Sequence, residues 1–207
     1  MTNMNEEHSH YDFKGFVSRQ ITSSTEVKLS LLEDLNIARS FEELCCTALR
    51  ALRQRKKIVF AGNGGSYSDS IHLSAELIGR FKADRQPLPA IALGTNGSSL
   101  TAIGNDFGYD EVFSRELEAI SDQGDLLIVL STSGNSTNIV KAVQAAQSKD
   151  IECFAMTGRY GGLVADACKC IRIPSDDTAR IQECHIMLGH IMCEYLELML
   201  TNSKLEV

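Results

Sequence analysis

The sequence predicts an α/β protein: a five-stranded parallel sheet between two layers of helices, preceded by N-terminal helices. Three observations point there. From Lys57 onward, short apolar runs of strand length alternate with segments of helical period, the pattern of right-handed βαβ crossovers. The first apolar run passes directly into a glycine-rich turn, Gly62-Asn63-Gly64-Gly65-Ser66, and then into an amphipathic segment. No low-complexity stretch or linker divides the 207 residues, so one domain over 1–207 is expected. It comprises a tail over 1–10, helices over 11–56 and an α/β core over 57–200.

Taken in order, residues 11–21 suggest a short helix. Ser23-x-x-Glu26 and Ser40-x-x-Glu43 are capping-box signatures. The first stands before Val27, Leu31 and Leu35, the second before Leu44, Ala48 and Leu52 at helical spacing. Two helices are therefore expected before the first strand, with packing as their task. Strands follow at 58–61, 90–93, 125–130, 151–156 and 170–173. Between them helices are expected at 67–82, 98–104, 109–120, 137–146 and 162–167. A long, mostly apolar helix over 179–200 closes the chain.

Composition excludes several classes of function. A 43% hydrophobic and 23% charged chain is ordinary for a globular protein. The net charge of −7 argues against a protein that grips nucleic-acid phosphates. Its one basic cluster, Arg53-Gln54-Arg55-Lys56-Lys57, falls at a helix end, where cations suit the dipole. No apolar run approaches the roughly 18 residues of a membrane span, and MTNMNEEHSHY lacks the apolar core of a secretory signal. The expectation is a soluble, cytoplasmic protein without membrane or nucleic-acid partners. Of seven cysteines, Cys45, Cys46, Cys153, Cys184 and Cys193 lie in apolar segments, and Cys168-Lys169-Cys170 lacks the spacing of a zinc knuckle. They read as reduced thiols filling a core.

Three stretches can carry chemistry. In the first, the Gly62–Ser66 turn lets the backbone approach an anion and aims free N–H groups at it. His72 and Glu76 follow at i,i+4 on one helical face. In the second, Ser131, Thr132, Ser133, Ser136 and Thr137 crowd around Gly134-Asn135 where a helix begins. Capping alone favours such residues, but five hydroxyls in seven residues exceed what a cap needs. The carboxyl end of a parallel strand is also where open α/β sheets bind ligands. In the third, Gln182, His185 and His190 interrupt an apolar helix and need partners. A lone buried histidine is often a satisfied core residue, and spacing leaves open which of His185 and His190 is chemical.

These motifs occur in one order: AGNGGS with HxxxE (His72, Glu76), GNDFG (104–108), STSGNS (131–136), TGxxGG (157–162) and RIQECH…H (180–190). In that combination the chain resembles the sugar isomerase (SIS) domain family, and within it the phosphoheptose isomerases, over about residues 30–198. The resemblance implies a flavodoxin-like three-layer α-β-α SIS fold. It also implies a cytoplasmic homotetramer with interfacial active sites, acting on a phosphorylated seven-carbon sugar. The implied reaction converts sedoheptulose 7-phosphate to D-glycero-D-manno-heptose 7-phosphate, on the way to nucleotide-activated heptoses for lipopolysaccharide, capsule or another glycan.

By residue, the resemblance makes Glu76 and His190 catalytic and leaves His185 structural. It places zinc, one per subunit, on His72, Glu76, Gln182 and His190. Substrate contacts fall on Asn63, Gly64, Gly65, Ser66, Glu76, Arg80, Asn105, Asp106, Ser131, Thr132, Ser133, Ser136 and Gln182. The residue types suit the chemistry, since ketose–aldose interchange needs a base beside C1 and an acid for the two oxygens. A carboxylate on Zn²⁺ loses basicity, however, and glutamine is not among the usual zinc ligands. Ala179 stands where some members have aspartate, leaving Asp176, Asp177 or Thr178 to replace its hydrogen bond, and Tyr67 and Ser68 also depart from the pattern. The rival reading is a non-catalytic relative that binds a phosphosugar or the replication initiator. Such a scaffold has no reason to keep His72, Glu76 and His190 together. A DNA-reading regulator would need a basic recognition helix that the first 50 residues lack.

Overall fold

The computed structural model describes residues 12–201; the expected tail, with His8 and His10, lies outside them. Two long helices come first, α1 (Phe13–Glu33) and α2 (Leu35–Arg53). Neither begins at a serine box. Aspartates cap both: Asp12 accepts from Gly15 N, and Asp34 from the backbone N–H groups of Asn36 and Ile37. Ser23 and Ser40 lie mid-helix, and the short helix expected to end at Ile21 runs on into the rest of α1. An aspartate at the N-cap offers the same oxygen acceptor as the serine of a capping box, and here Asp12 and Asp34 take that place.

The core then alternates β1 (Ile58–Gly62), α3 (Gly65–Ile78), β2 (Ala90–Ala92), α4 (Gly97–Asp106), a 3₁₀ turn (Tyr109–Glu111), α5 (Val112–Ile120), β3 (Leu126–Ser131), α6 (Thr137–Ser148), β4 (Glu152–Thr157), α7 (Gly162–Ala167), β5 (Lys169–Arg172) and α8 (Thr178–Thr201). All five strands pair in parallel, in the order β2-β1-β3-β4-β5. Successive side chains leave a strand on opposite faces. Ile58 and Phe60 therefore pack with Leu73, Leu77, Leu188 and Met192 of α3 and α8, while Val59 and Ala61 pack with Phe113, Leu117, Ile139 and Val143 of α5 and α6. The result is three layers, with the central strands β1 and β3 buried along their whole length and the edge strands β2 and β5 partly exposed.

This strand order reverses direction between β1 and β3, so the crossovers on either side of that gap go to opposite faces. The crevice left at the carboxyl ends of β1 and β3 is the ligand position of such sheets. Gly62 pairs with Leu130 across it, which sets the glycine turn and the serine loop side by side.

One boundary matters for function. The helix expected to reach Lys82 ends at Ile78. The Arg85 guanidinium turns back to donate to the carbonyls of Glu76, Leu77 and Gly79, closing the helix. The carboxylate of Glu197 on α8 accepts the backbone N–H groups of Phe81, Lys82 and Ala83 and pairs with Arg85 at 3.0 Å, with both side chains buried.

Candidate active site

Two helix N-termini face one cavity. Asn63, Ser66, Ser131, Thr132, Ser133, Ser136 and Gln182 line a cavity of about 70 Å³, where a single water needs about 10–15 Å³ on the same measure. Ser66 sits in the first turn of α3, and Ser136 is the N-cap of α6. The ordinary capping explanation fails for the second loop, because the Ser136 side chain makes no capping hydrogen bond. Among the described residues, the hydroxyls of Ser66, Thr132 and Ser136 have no protein partner. Ser131 and Ser133 spend theirs on the loop, accepting from Gly134 N and Asn135 N. Unclaimed hydroxyls beside two helix N-termini form a cradle for an anion that needs no lysine. The Gln182 amide lies against Gly65, so close that any Cβ there would come within 2.6 Å of it.

The imidazole and carboxylate groups meet further along α3, where α8 packs against it. His72, Glu76 and His190 bring their ligand atoms within 4.8 Å of one another. His72 Nε2 stands 2.9 Å from Glu76 Oε1, and the two imidazole rings lie edge to face with centroids 5.0 Å apart. Gly189 permits this approach: its Cα rests on Leu73, where a Cβ would meet the leucine at 2.5 Å, so α8 comes close enough to α3 to deliver His190. Phe81 covers the His190 ring at 5.5 Å, placed there by the grip of Glu197 on its N–H. His190 Nε2 is buried without a hydrogen-bond partner among the described residues. Burial, and then the neighbouring His72, hold this imidazole below its ordinary pKa, with Glu76 pulling the other way.

His185 points elsewhere. It is fully buried, with Nε2 3.3 Å from the carbonyl of Thr157 at the end of β4. Burial pushes its pKa down to about 4, against the opposing pull of that carbonyl. The structure thus separates the two histidines that spacing left open. Gln182 lies at the cradle, about 12 Å of helix rise before His190. Arg80 stands exposed beyond the end of α3, and exposed Asn105 and Asp106 close α4, where Asn105 donates to Asp106 at 2.8 Å. None of these three lines the serine cavity within one chain.

The chain has clear relatives. The SIS domain matches residues 23–158. The chain belongs to the SIS domain family. A phosphoheptose isomerase from Sulfurimonas denitrificans is 46% identical over 185 residues, spanning 89% of this chain and 95% of the relative. Another, from Aneurinibacillus thermoaerophilus, is 44% identical over 91% of this chain and 96% of its own length. The solved phosphoheptose isomerase of Neisseria gonorrhoeae superposes with a TM-score of 0.82 at 39% identity, covering 89% of this chain and 98% of that one.

Within this SIS domain, sequence reasoning passed over four residues around the site. Asn138 and Tyr109 hydrogen-bond Asn63, Phe81 shields His190, and Asp69 lies one turn before His72. Burial raises the Asp69 carboxyl, with His72 pulling it back, and Oδ2 is buried without a partner among the described residues. Asp69 was findable from its i,i+3 spacing to His72; the others needed contacts between distant segments. The Ala179 departure is also resolved in part: Asp177 is committed to the start of α8, accepting from Ala179 N at 2.8 Å. Asp176 and Thr178 instead line a neighbouring cavity shared with Thr132 and Ser133.

Proposed function

We propose that this chain is a phosphoheptose isomerase, an aldose–ketose isomerase that converts sedoheptulose 7-phosphate to D-glycero-D-manno-heptose 7-phosphate for nucleotide-activated heptose synthesis. The observation that carries the reading is the pairing of Glu76 of α3 with His190 of α8, beside a cradle of unclaimed hydroxyls that begins at the N-terminus of the same α3. The spacing fits the substrate. An extended seven-carbon sugar spans about 9–10 Å from C1 to phosphorus, at roughly 1.2 Å per bond. A hydrogen-bond length of about 3 Å at each end brings this to the roughly 15 Å of helix between Ser66 and Glu76.

In this reading Ser66, Thr132, Ser136 and the N-termini of α3 and α6 hold the phosphate. That remote grip orients C1 and C2 over Glu76. Glu76 takes the C1 proton and returns it to C2 through a cis-enediol, while His190, neutral and so both donor and acceptor, moves protons between O1 and O2. Gln182, between the cradle and the acid–base pair, contacts the sugar. Arg80, Asn105 and Asp106 reach substrate in the assembled protein, where active sites form between subunits of a homotetramer. The exposed apolar side chains of α1 support assembly: Phe13, Ile21, Leu29 and Leu32 are all more than half exposed, and Leu31 is the helix's one buried residue.

The donors at the acid–base pair also fit a metal ion. Two imidazoles and a carboxylate converge, and the partnerless His190 Nε2 is an orphaned buried donor atom that an ion would satisfy. We assign zinc to His72, Glu76 and His190, a set that Gln182 would join by turning from its place against Gly65. When bound, it would polarise the substrate carbonyl or hold the site's shape. The protein is assigned to the cytoplasm; among its described residues no helix is long and apolar enough to cross a membrane. Incubation of the purified protein with sedoheptulose 7-phosphate, followed by NMR with and without a chelator, tests the reading. Appearance of the aldose phosphate is expected, and its absence under both conditions, and with added zinc, rejects it.

A further inference from the structure

Asn63 and Asn138 form a reciprocal amide pair. Asn63 Nδ2 donates to Asn138 Oδ1 at 2.9 Å, and Asn138 Nδ2 donates to Asn63 Oδ1 at 2.9 Å. Asn63 belongs to the turn after β1, and Asn138 to the first turn of α6 after β3. The pair therefore bridges the gap between the two loops whose hydroxyls line the cradle, at the point where the sheet order reverses. Asn138 is only 3% exposed, so its amide has no access to bulk water and depends on Asn63 for partners.

A third element is tied in. The Tyr109 hydroxyl donates to Asn63 Oδ1 at 3.0 Å. Tyr109 opens the 3₁₀ turn whose Glu111 pairs with Lys141 of α6 at 2.6 Å. Asn63 Oδ1 thus accepts from two donors, both held by elements anchored on α6. A planar amide with one oxygen doubly engaged and one N–H committed has a single orientation, and the Gly64–Ser66 turn that follows inherits it.

We infer that Asn138 and Tyr109 are positioning residues: through Asn63 they set the separation of the α3 and α6 N-termini and so the fit of the cradle to a phosphate group. This rests on the isomerase reading for its substrate, but its first measurement does not need turnover. Loosening the pair lets Ser66 and Ser136 move independently, so the phosphate loses simultaneous contacts while Glu76 and His190 stay as they were.

The test measures binding of inorganic phosphate to the full-length protein by calorimetry for wild type, Asn138→Ala, Asn63→Ala, the double variant, Asn138→Asp and Tyr109→Phe. Each alanine variant is expected to weaken phosphate binding about ten-fold, the factor for one net hydrogen bond. The double variant should be no weaker than the singles, because a unit is broken only once. Tyr109→Phe removes one exposed hydroxyl, should fold and should weaken binding about three-fold; Asn138→Asp keeps the volume but sets an acceptor and a charge against Asn63 Oδ1, and should weaken binding at least about ten-fold. They decide the matter should an alanine variant not fold. With the heptulose phosphate, KM of Asn138→Ala and Tyr109→Phe should rise in parallel while kcat stays within about two-fold; mere destabilisation would lower the active fraction and leave KM alone. Unchanged phosphate affinity in the variants, or losses that multiply to about a hundred-fold in the double variant, overturns the proposal while leaving the isomerase reading intact. A wild-type protein that binds no phosphate overturns the cradle and this proposal together. A wild type that binds phosphate but does not isomerise rejects only the reaction.

Discussion

The Arg85–Glu197 clamp behind Glu76, the proposed base, offers the sharpest test of how this site is held. Glu197→Gln changes one atom. In the native protein both side chains are 4% exposed or less. Glu197 accepts three backbone N–H groups from residues 81–83, and Arg85 donates to the carbonyls of Glu76 and Leu77. The amide replaces an acceptor oxygen by a donor facing other donors and leaves the guanidinium buried without a counter-charge. Breaking a buried ion pair in this way costs about 3–5 kcal/mol, against a total stability of about 5–15 kcal/mol for a typical domain. For a chain of this length that is a fall in Tm of about 6–20 °C, at 2–4 °C per kcal/mol. Urea denaturation at constant m-value gives the free energy directly. Activity should also fall in the protein that remains folded, since Phe81 over His190 and the carbonyl of Glu76 are both held by this clamp. A Glu197→Gln protein within about 1 kcal/mol of wild type would refute the reasoning: the carboxylate would then be dispensable to the end of α3.

Three further outcomes are expected. Glu76→Gln should lower kcat by about 10²–10⁴-fold, the worth of a positioned base, with phosphosugar binding by calorimetry retained; near-normal turnover removes Glu76 from that role. His190→Asn should reduce kcat over the same range, whereas an unchanged rate measured by the NMR assay moves the acid elsewhere. For pH, His185 binds its proton more weakly folded, near 4, than its ordinary 6.5. The unfolded chain therefore takes up the proton first, so stability is fully present above pH 6.5 and declines as pH falls towards 4. The loss is about 3 kcal/mol over that interval. His185→Leu should flatten this slope in urea titrations at pH 7, 5.5 and 4.5; an identical slope in the variant would place the acid sensitivity in other groups.

Most of the fold was legible because its causes are local. Alternating apolar runs at Ile58, Leu126 and Glu152 mark buried strands whatever surrounds them, and the glycine turn after Ala61 announces a helix N-terminus. The serine loop could be singled out as a candidate ligand site because its hydroxyls outnumber the demands of a cap. Element ends were harder. The short helix expected over 11–21 and the one expected after Ser23 are a single α1 capped by Asp12, and the end of α3 is imposed by Arg85 and by Glu197 from more than a hundred residues away. No local pattern carries that information.

The sequence by itself determined the layers, the parallel sheet and the inventory of reacting groups, since periodicity and residue chemistry act over a few neighbours. Spacing left His185 and His190 open, and the tertiary structure shows that His190 is the one beside Glu76, as the family resemblance implies. His185 and His190 lie on one helix in similar surroundings of sequence, yet one is sealed against Thr157 and the other meets Glu76. Contact between α3 and α8 at Gly189 and Leu73 makes that choice, because helices pack by the shape of both surfaces and a sequence shows each surface alone.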